Sequence, residues 1–162
     1  MRIGIGHDVH RLRQTDGGGD GGRLMLGGVA VSDEVAAVAH SDGDVLLHAL
    51  VDALLGAIGD GDIGEHFPPS DERWRDADSG VFVAEAMRRV TAAGYRVGNV
   101  DVLVLLERPK LREHKAAIAT NVARLVGGPV SVKAGTNEGL DAVGRGEAVV
   151  AQAAVLLLDA DG

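Results

Sequence analysis

His40-Ser41-Asp42-Gly43-Asp44-Val45-Leu46-Leu47-His48-Ala49-Leu50-Val51-Asp52 reads as a loop that turns into a helix. From Val45 to Ile58, 11 of 14 residues are apolar, so most of this helix's circumference is expected to be buried. The exceptions stand in register: Asp44, His48 and Asp52 are spaced i, i+4, i+8 and share one stripe. Ionisable groups on an otherwise apolar helix need partners, because unpaired buried charge is costly. Asp44 and Asp52 read as orienters of a neighbouring ligand or as plain caps and ion-pair members. Ser41-x-x-Asp44 fits the capping-box pattern and predicts a helix start near Asp42. Taken alone, His48 is an ordinary satisfied core histidine.

Working outward, Arg2 to His10 reads as a strand, on which Asp8 and His10, two apart, face the same way. Gln14 to Gly22 is a glycine-rich flexible loop with no chemistry of its own. Leu24 to Val31 returns as a strand with a break at Gly27-Gly28, so strand, loop and strand predict a long hairpin. Gly59 to Asp71 is a polar, Gly/Pro-punctuated loop of the kind that often carries function. Ser79 to Ala93 reads as a helix with Asp78 or Ser79 as its cap. Tyr95 to Leu106 reads as a central strand, and Pro109 opens a helix to about Val126. Val130 to Ala134 is a short strand, Gly135 to Gly146 a second functional-looking loop, and Ala148 to Leu158 a final apolar strand.

This order predicts a single two-layer α/β domain over residues 1–162, a mixed β-sheet with helices mainly on one face. The other face, rich in Val and Ala, then needs a cover, and self-association supplies one. A chain of 162 residues that is 46% apolar can build a core. With 2% aromatics and a formal charge of -8, it is a poor binder of nucleic acid or of an anionic membrane. No apolar run reaches the ~18 residues of a membrane span, the N-terminus lacks a secretory h-region, and the cytoplasm is the expected compartment. Cysteine is absent, so a zinc site must use histidine and carboxylate.

Asp8, His10 and His48 make a three-ligand set that fits a tetrahedral zinc with the fourth position open, the arrangement of catalytic rather than structural sites. His66 and His114 read as surface residues, Lys133 as an exposed strand lysine, Trp74 as loop packing and Arg88-Arg89 as a solvated helix face.

Gly6-His7-Asp8-Val9-His10, His40-Ser41-Asp42-Gly43-Asp44 with His48, Gly61-Asp62-Ile63-Gly64, Phe67-Pro68-Pro69-Ser70-Asp71 and Gly144-Arg145-Gly146-Glu147 occur in that order. In combination they resemble the 2-C-methyl-D-erythritol 2,4-cyclodiphosphate synthase family of the non-mevalonate isoprenoid pathway, over essentially the whole chain except 14–22. The resemblance implies a homotrimer with active sites between subunits. The reaction it implies is conversion of 4-diphosphocytidyl-2-C-methyl-D-erythritol 2-phosphate to the cyclic diphosphate and CMP. By the same resemblance Asp8, His10 and His48 hold zinc or another divalent transition metal, and Glu138 helps hold magnesium or manganese. His40 and Thr136 stabilise the transition state, and Ser41 contacts phosphate. Asp62, Ile63 and Gly64 hold the erythritol moiety, with Phe67 to Asp71, including Ser70, as the loop beside it. Leu106 to Arg112, with Pro109 and Lys110, and Ala134, Gly135 and Thr136 form the cytidine pocket of the adjoining subunit. Arg145 lies near a threefold-axis cavity able to take an isoprenoid diphosphate.

Some positions depart from the family pattern. Gly135 and Asn137 replace a run of threonines, Ala142 stands where a bulky apolar residue is common, and His7 stands where an aromatic is also found. His7 points away from Asp8 on an extended strand and is a neighbour of the axis rather than a fourth ligand. Two other readings compete: a zinc phosphohydrolase in which the open metal position activates water, and a non-catalytic binder of isoprenoid diphosphates.

Overall fold

Glycine and alanine decide how the helix of the opening stretch meets the sheet. In a computed structural model of the chain, which describes residues 1–17, 22–68 and 70–160, Arg2–Gln14 forms strand β1. Val45–Ile58 forms helix α1, and α1 lies directly on the β1 backbone. A Cβ on Gly4 would sit 1.9 Å from the Ala53 carbonyl oxygen, and one on Gly6 would sit 1.9 Å from that of Ala49. Ala49, Ala53 and Ala57 recur every four residues and give α1 a narrow stripe that matches these two glycines. The other sides of α1 are buried too, with Leu46, Leu47, Leu50, Leu54 and Leu55 wholly inaccessible.

After β1 come β2 (Leu24–Leu26), β3 (Val29–Ser32) and β4 (Val35–Val38). Beyond α1 lie the short helix α2 (Ile63–His66), a 3-10 turn at Glu72–Trp74 and helix α3 (Gly80–Ala92). Strand β5 (Tyr95–Leu105) follows, then a 3-10 turn at Leu111–Glu113, helix α4 (Lys115–Val126) and strand β6 (Val130–Gly135). The chain closes with α5 (Asp141–Gly144) and β7 (Ala148–Asp159). One five-stranded sheet runs β4-β1-β7-β5-β6, and β2 and β3 form a separate two-stranded ribbon. Only β5 and β6 are parallel, so the sheet is mixed.

The alternation of side chains along β1 separates two faces. Gly4, Gly6, Asp8, His10 and Leu12 turn toward α1, while Ile3, Ile5 and Val9 are 72%, 78% and 51% exposed on the other side. The uncovered apolar face expected from sequence is therefore present in the single chain. No helix among the described residues is long and apolar enough to cross a membrane.

Several sequence expectations are corrected, among them Leu24 to Val31 as one strand, which is two, β2 and β3. The helix starts at Val45 with Asp44 as its cap, not near Asp42 with Ser41, because Gly43 takes φ 71° and breaks the helical path before Asp44. The segments before and after 14–22 do not pair as a hairpin: β1 pairs with β4 and β7, and β2 with β3. Gly27 and Gly28, with φ of 61° and 74°, close the tight turn of that ribbon. The helix expected from Pro109 begins at Lys115, since Lys110 is extended. The loops expected at 59–71 and 135–146 contain the short helices α2 and α5. The expected flexibility of 14–22 concerns in part residues 18–21, and Pro69 belongs to the family motif; both lie outside the described residues.

Asp44 ties the ribbon to the helix. Its wholly buried carboxylate accepts from Gly27 N at 2.9 Å, Gly28 N at 2.6 Å and Leu47 N at 3.1 Å. Burial pushes its pKa up, against the pull of these donors. Replacing it with alanine removes a cap worth ~0.5–2 kcal/mol and strands the buried Gly27 N–H at a cost of ~1–3 kcal/mol. Urea denaturation of Asp44→Ala is expected to show a loss of about 2–4 kcal/mol, whereas Asp44→Asn, which keeps one acceptor oxygen, loses less.

Candidate metal centre

The close approach of α1 to β1 brings the first turn of the helix over Asp8 and His10. His48 Nδ1 lies 3.0 Å from Asp8 Oδ2 and 3.0 Å from His10 Nε2, and the last two are 3.2 Å apart. Three donors within hydrogen-bond distance of one another, drawn from a strand and a helix, fit a divalent cation. Four ligands at zinc–nitrogen and zinc–oxygen distances of ~2.0–2.1 Å in tetrahedral array are spaced about 3.3 Å apart. Among the described residues this is the one group of three or more His, Cys, Asp or Glu able to hold a metal ion.

The protonation states suit ligation. Burial works against the Asp8 carboxylate, but the neighbouring His48 and His10 imidazoles outweigh it and hold its pKa below the usual range. The His10 pKa is pushed down, chiefly by burial and against the attraction of Asp8. Both shifts leave deprotonated donors at neutral pH, as a metal requires. The two rings meet edge to face, with centroids 5.1 Å apart.

The stripe seen in sequence serves three different purposes. Asp44 caps, His48 enters the triad, and Asp52 Oδ1 accepts from Ile63 N at 2.8 Å. Asp52 thereby fixes the start of α2, so the Asp62-Ile63-Gly64 turn is held from α1.

A cavity of about 240 Å³ opens beside the triad, lined by His10, His40, Ser41, His48, Ile63, Gly64, Phe67, Trp74 and Phe82 among others. Its aromatic wall is one cluster: Phe67 stacks on Phe82 at 4.7 Å, and Trp74 meets both edge-on at 5.3 and 5.7 Å. His40 Nε2 and Trp74 Nε1 are buried without a hydrogen-bond partner, an uncommon state for polar atoms that a polar group in the cavity would relieve. Ser41 Oγ stands 3.1 Å from His48 Nε2.

Other sequence candidates lie elsewhere. Asp62 caps α2 through Glu65 N at 3.0 Å. Asp71 is paired with Arg73 at 2.6 Å, and Ser70 is exposed. Lys110, Ala134, Gly135 and Thr136 line a second cavity of about 250 Å³ with Leu106, Leu111 and Arg112; Pro109 does not line it. Thr136 Oγ1 donates to Glu138 Oε1 at 3.0 Å, and neither residue lines the triad's cavity. Arg145 pairs with Glu147 at 3.0 Å on the surface. Within one chain the triad and Thr136 therefore belong to two different cavities, with Glu138 joined to the second through Thr136. A larger concavity, about 650 Å³, runs from the sheet at Ile5, His7, Leu103, Lys133 and Gln152 to Asp52, Gly56, Gly61 and Asp62, and includes none of the triad.

His66 is half-buried and bonds the Asp60 carbonyl at 2.7 Å, unlike the surface residue expected. His114 is half-buried as well, at the N-cap of α4. Arg89 reaches Asp60 at 2.9 Å as well as Glu85, so it is not merely solvated. Lys133 is exposed but pairs with Asp101 at 2.6 Å, and Trp74 packs the loop as expected. Sequence reading missed Ser79, whose wholly buried hydroxyl lies 2.9 Å from His48 Nε2. It read Ser79 only as a helix cap, and no local pattern marks the contact.

Fold and site together define a single-domain α/β protein with a carboxylate–histidine triad able to hold a metal ion at a strand–helix junction. The model of the YgbB family matches residues 1–158, and the chain belongs to that family. It is 52% identical over 160 residues to the 2-C-methyl-D-erythritol 2,4-cyclodiphosphate synthase of Xanthomonas oryzae pv. oryzae, covering 97% of this chain and 94% of the relative. It is 52% identical over 163 residues to that of Salinibacter ruber, covering 99% and 100%. A solved 2C-methyl-D-erythritol-2,4-cyclodiphosphate synthase in a CDP-bound form superposes with a TM-score of 0.86 at 42% identity, covering 97% of this chain and all of that one.

Proposed function

We propose that the chain converts 4-diphosphocytidyl-2-C-methyl-D-erythritol 2-phosphate to 2-C-methyl-D-erythritol 2,4-cyclodiphosphate and CMP. The observation that carries this reading is the convergence of Asp8, His10 and His48 beside a cavity with orphaned polar atoms, in a chain of this family. An oxygen of the 2-phosphate bonds to the β-phosphorus. The bond from that phosphorus to the bridging oxygen breaks, and the oxygen leaves with CMP. Nucleophile and electrophile belong to one molecule, so the protein's task is to fold the substrate and hold it, which in favourable cases is worth about 7–11 kcal/mol. A phosphate dianion needs no general base.

Divalent cations held by Asp8, His10 and His48 and by Glu138, zinc and magnesium by choice, supply Lewis-acid neutralisation of the diphosphate when bound. His40 Nε2, unpartnered in the cavity wall, is placed to donate to a phosphate oxygen as charge develops, with Thr136 in the same role. Ser41 contacts phosphate. Asp62, Ile63 and Gly64 hold the erythritol moiety, with Phe67, Ser70 and Asp71 closing beside it. Lys110, next to Pro109, forms the cytidine pocket with Ala134, Gly135 and Thr136, which line one cavity; a relative solved in a CDP-bound form supports a cytidine nucleotide as ligand. These two cavities meet between subunits of a homotrimer, and the exposed Ile3, Ile5 and Val9 face supplies the buried contact. Arg145 lies by its axis, where an isoprenoid diphosphate is the candidate ligand.

The test is turnover by the purified chain with zinc and magnesium in ¹⁸O-labelled water, read by phosphorus NMR, on a preparation whose mass is set by sedimentation. Cyclic diphosphate and CMP without label, from a trimer, are expected. Label in the product means a phosphohydrolase, and no turnover by a zinc-loaded trimer means a binding protein.

A further inference from the structure

Asp8, His10 and His48 are one shell of a larger arrangement. Behind His48, on the side away from Asp8, stand two hydroxyls, Ser79 Oγ at 2.9 Å and Ser41 Oγ at 3.1 Å from Nε2. They are not equivalent. Ser41 is half-buried and lines the cavity, where the function proposed above gives it to phosphate. Ser79 is wholly buried and lines no part of that cavity.

The direction of each bond at Ser79 follows from what its neighbours can do. Asp42 accepts the backbone N–H of Ser79 through Oδ2 at 3.1 Å and its hydroxyl through Oδ1. A carboxylate only accepts, so the single hydroxyl proton of Ser79 is committed to Asp42. The lone pairs of Ser79 Oγ then face His48 Nε2, and the imidazole must carry its proton there. A neutral imidazole protonated on Nε2 presents the Nδ1 lone pair, and Nδ1 is the atom aimed at Asp8 and His10.

The segment that leads into Ser79 is tied to residues 40–42 by two backbone bonds. Asp42 N bonds the Ala77 carbonyl at 3.1 Å, and Asp76 N bonds the His40 carbonyl at 2.9 Å. Ser79 stands at the N-cap position of α3, yet its side chain makes no capping hydrogen bond. The usual reason for a serine there is absent.

We infer that Ser79, backed by Asp42, is a positioning residue that fixes the tautomer and ring orientation of His48 and so sets the metal affinity of the triad. The inference rests on the metal reading of Asp8, His10 and His48. Groups that orient a ligating histidine in this way typically contribute 10–100-fold to affinity.

The test is zinc affinity of the full-length chain at fixed pH, by competition with a chromogenic chelator, for the parent, Ser79→Ala, Ser41→Ala and Asp42→Asn, with circular dichroism to confirm folding. Ser79→Ala is expected to bind zinc about 10–100-fold more weakly. Ser41→Ala is expected to stay within about threefold of the parent, because Nε2 keeps its Ser79 acceptor. Asp42→Asn is expected to fall between, and a chain carrying both Ser79→Ala and Asp42→Asn is expected to lose no more than Ser79→Ala alone, as one network predicts. Parent-like zinc affinity in folded Ser79→Ala overturns the inference, as does parent-like affinity in Asp42→Asn should Ser79→Ala not fold. A parent that binds no zinc fails the metal reading itself, a different result.

Discussion

Gly6→Ala is expected to yield little folded protein and none with an assembled metal centre. The alanine methyl would sit 1.9 Å from the Ala49 carbonyl oxygen and 2.8 Å from Ala53 N, both backbone atoms of α1. No rotamer change relieves a contact with backbone, so α1 must move by more than 1 Å. It has nowhere to go, because Leu46, Leu50 and Leu54 on its other sides are wholly buried. Overpacking in a rigid core usually costs ~1–3 kcal/mol. A clash this deep is expected above that, against a total stability of about 5–15 kcal/mol for a domain. Movement of α1 also carries His48 away from Asp8 and His10. Gly56→Ala is the control: it lies in the same helix with open space around its Cβ. It is expected to gain about 0.5–1 kcal/mol by relieving the entropy cost of a mid-helix glycine. Urea midpoints of the two variants decide the matter; a Gly6→Ala chain with the parent's midpoint would mean that α1 does not rest on β1.

This contact shows what sequence carried and what it did not. The bounds of α1 were legible at its C-terminal end because the apolar run stops at Gly59, which takes the left-handed conformation. Its start was misplaced, because a capping motif is read along the chain while Asp44 is occupied by the turn of a ribbon 16 residues earlier. The helix–strand packing was written in Gly4, Gly6, Ala49, Ala53 and Ala57, but two small-residue stripes far apart acquire meaning only when juxtaposed. Asp8, His10 and His48 could be paired from sequence because metal chemistry limits the residue types. Ser79 could not: serine before a helix has an everyday explanation, and its contact with His48 spans 31 residues. The same holds for β4, whose Val35–Val38 is too short for its alternation to stand out, and which pairs with the far end of β1.

His48→Ala is expected to abolish both the stabilisation by zinc and turnover. In the parent, zinc at ~100–1,000 times its dissociation constant adds about 2.7–4.1 kcal/mol to folding, because the unfolded chain does not hold the three donors together. The donors come from a strand and a helix 38 residues apart, so zinc held there would clamp α1 to β1 at the point where no glycine makes the contact. Removing His48 leaves Asp8 and His10, which are too few to hold the ion. Melting temperatures measured with and without zinc should therefore separate widely for the parent and coincide for His48→Ala. The turnover assay adds a second axis. Loss of both effects is the behaviour of a centre with three protein ligands and an open position for substrate. Loss of the thermal shift with turnover intact would make the ion a structural clamp, and would move the chemistry to the Glu138 side of the site. A thermal shift that survives in His48→Ala would place the zinc away from the triad altogether, and the cyclisation proposed above would lose the observation that carries it.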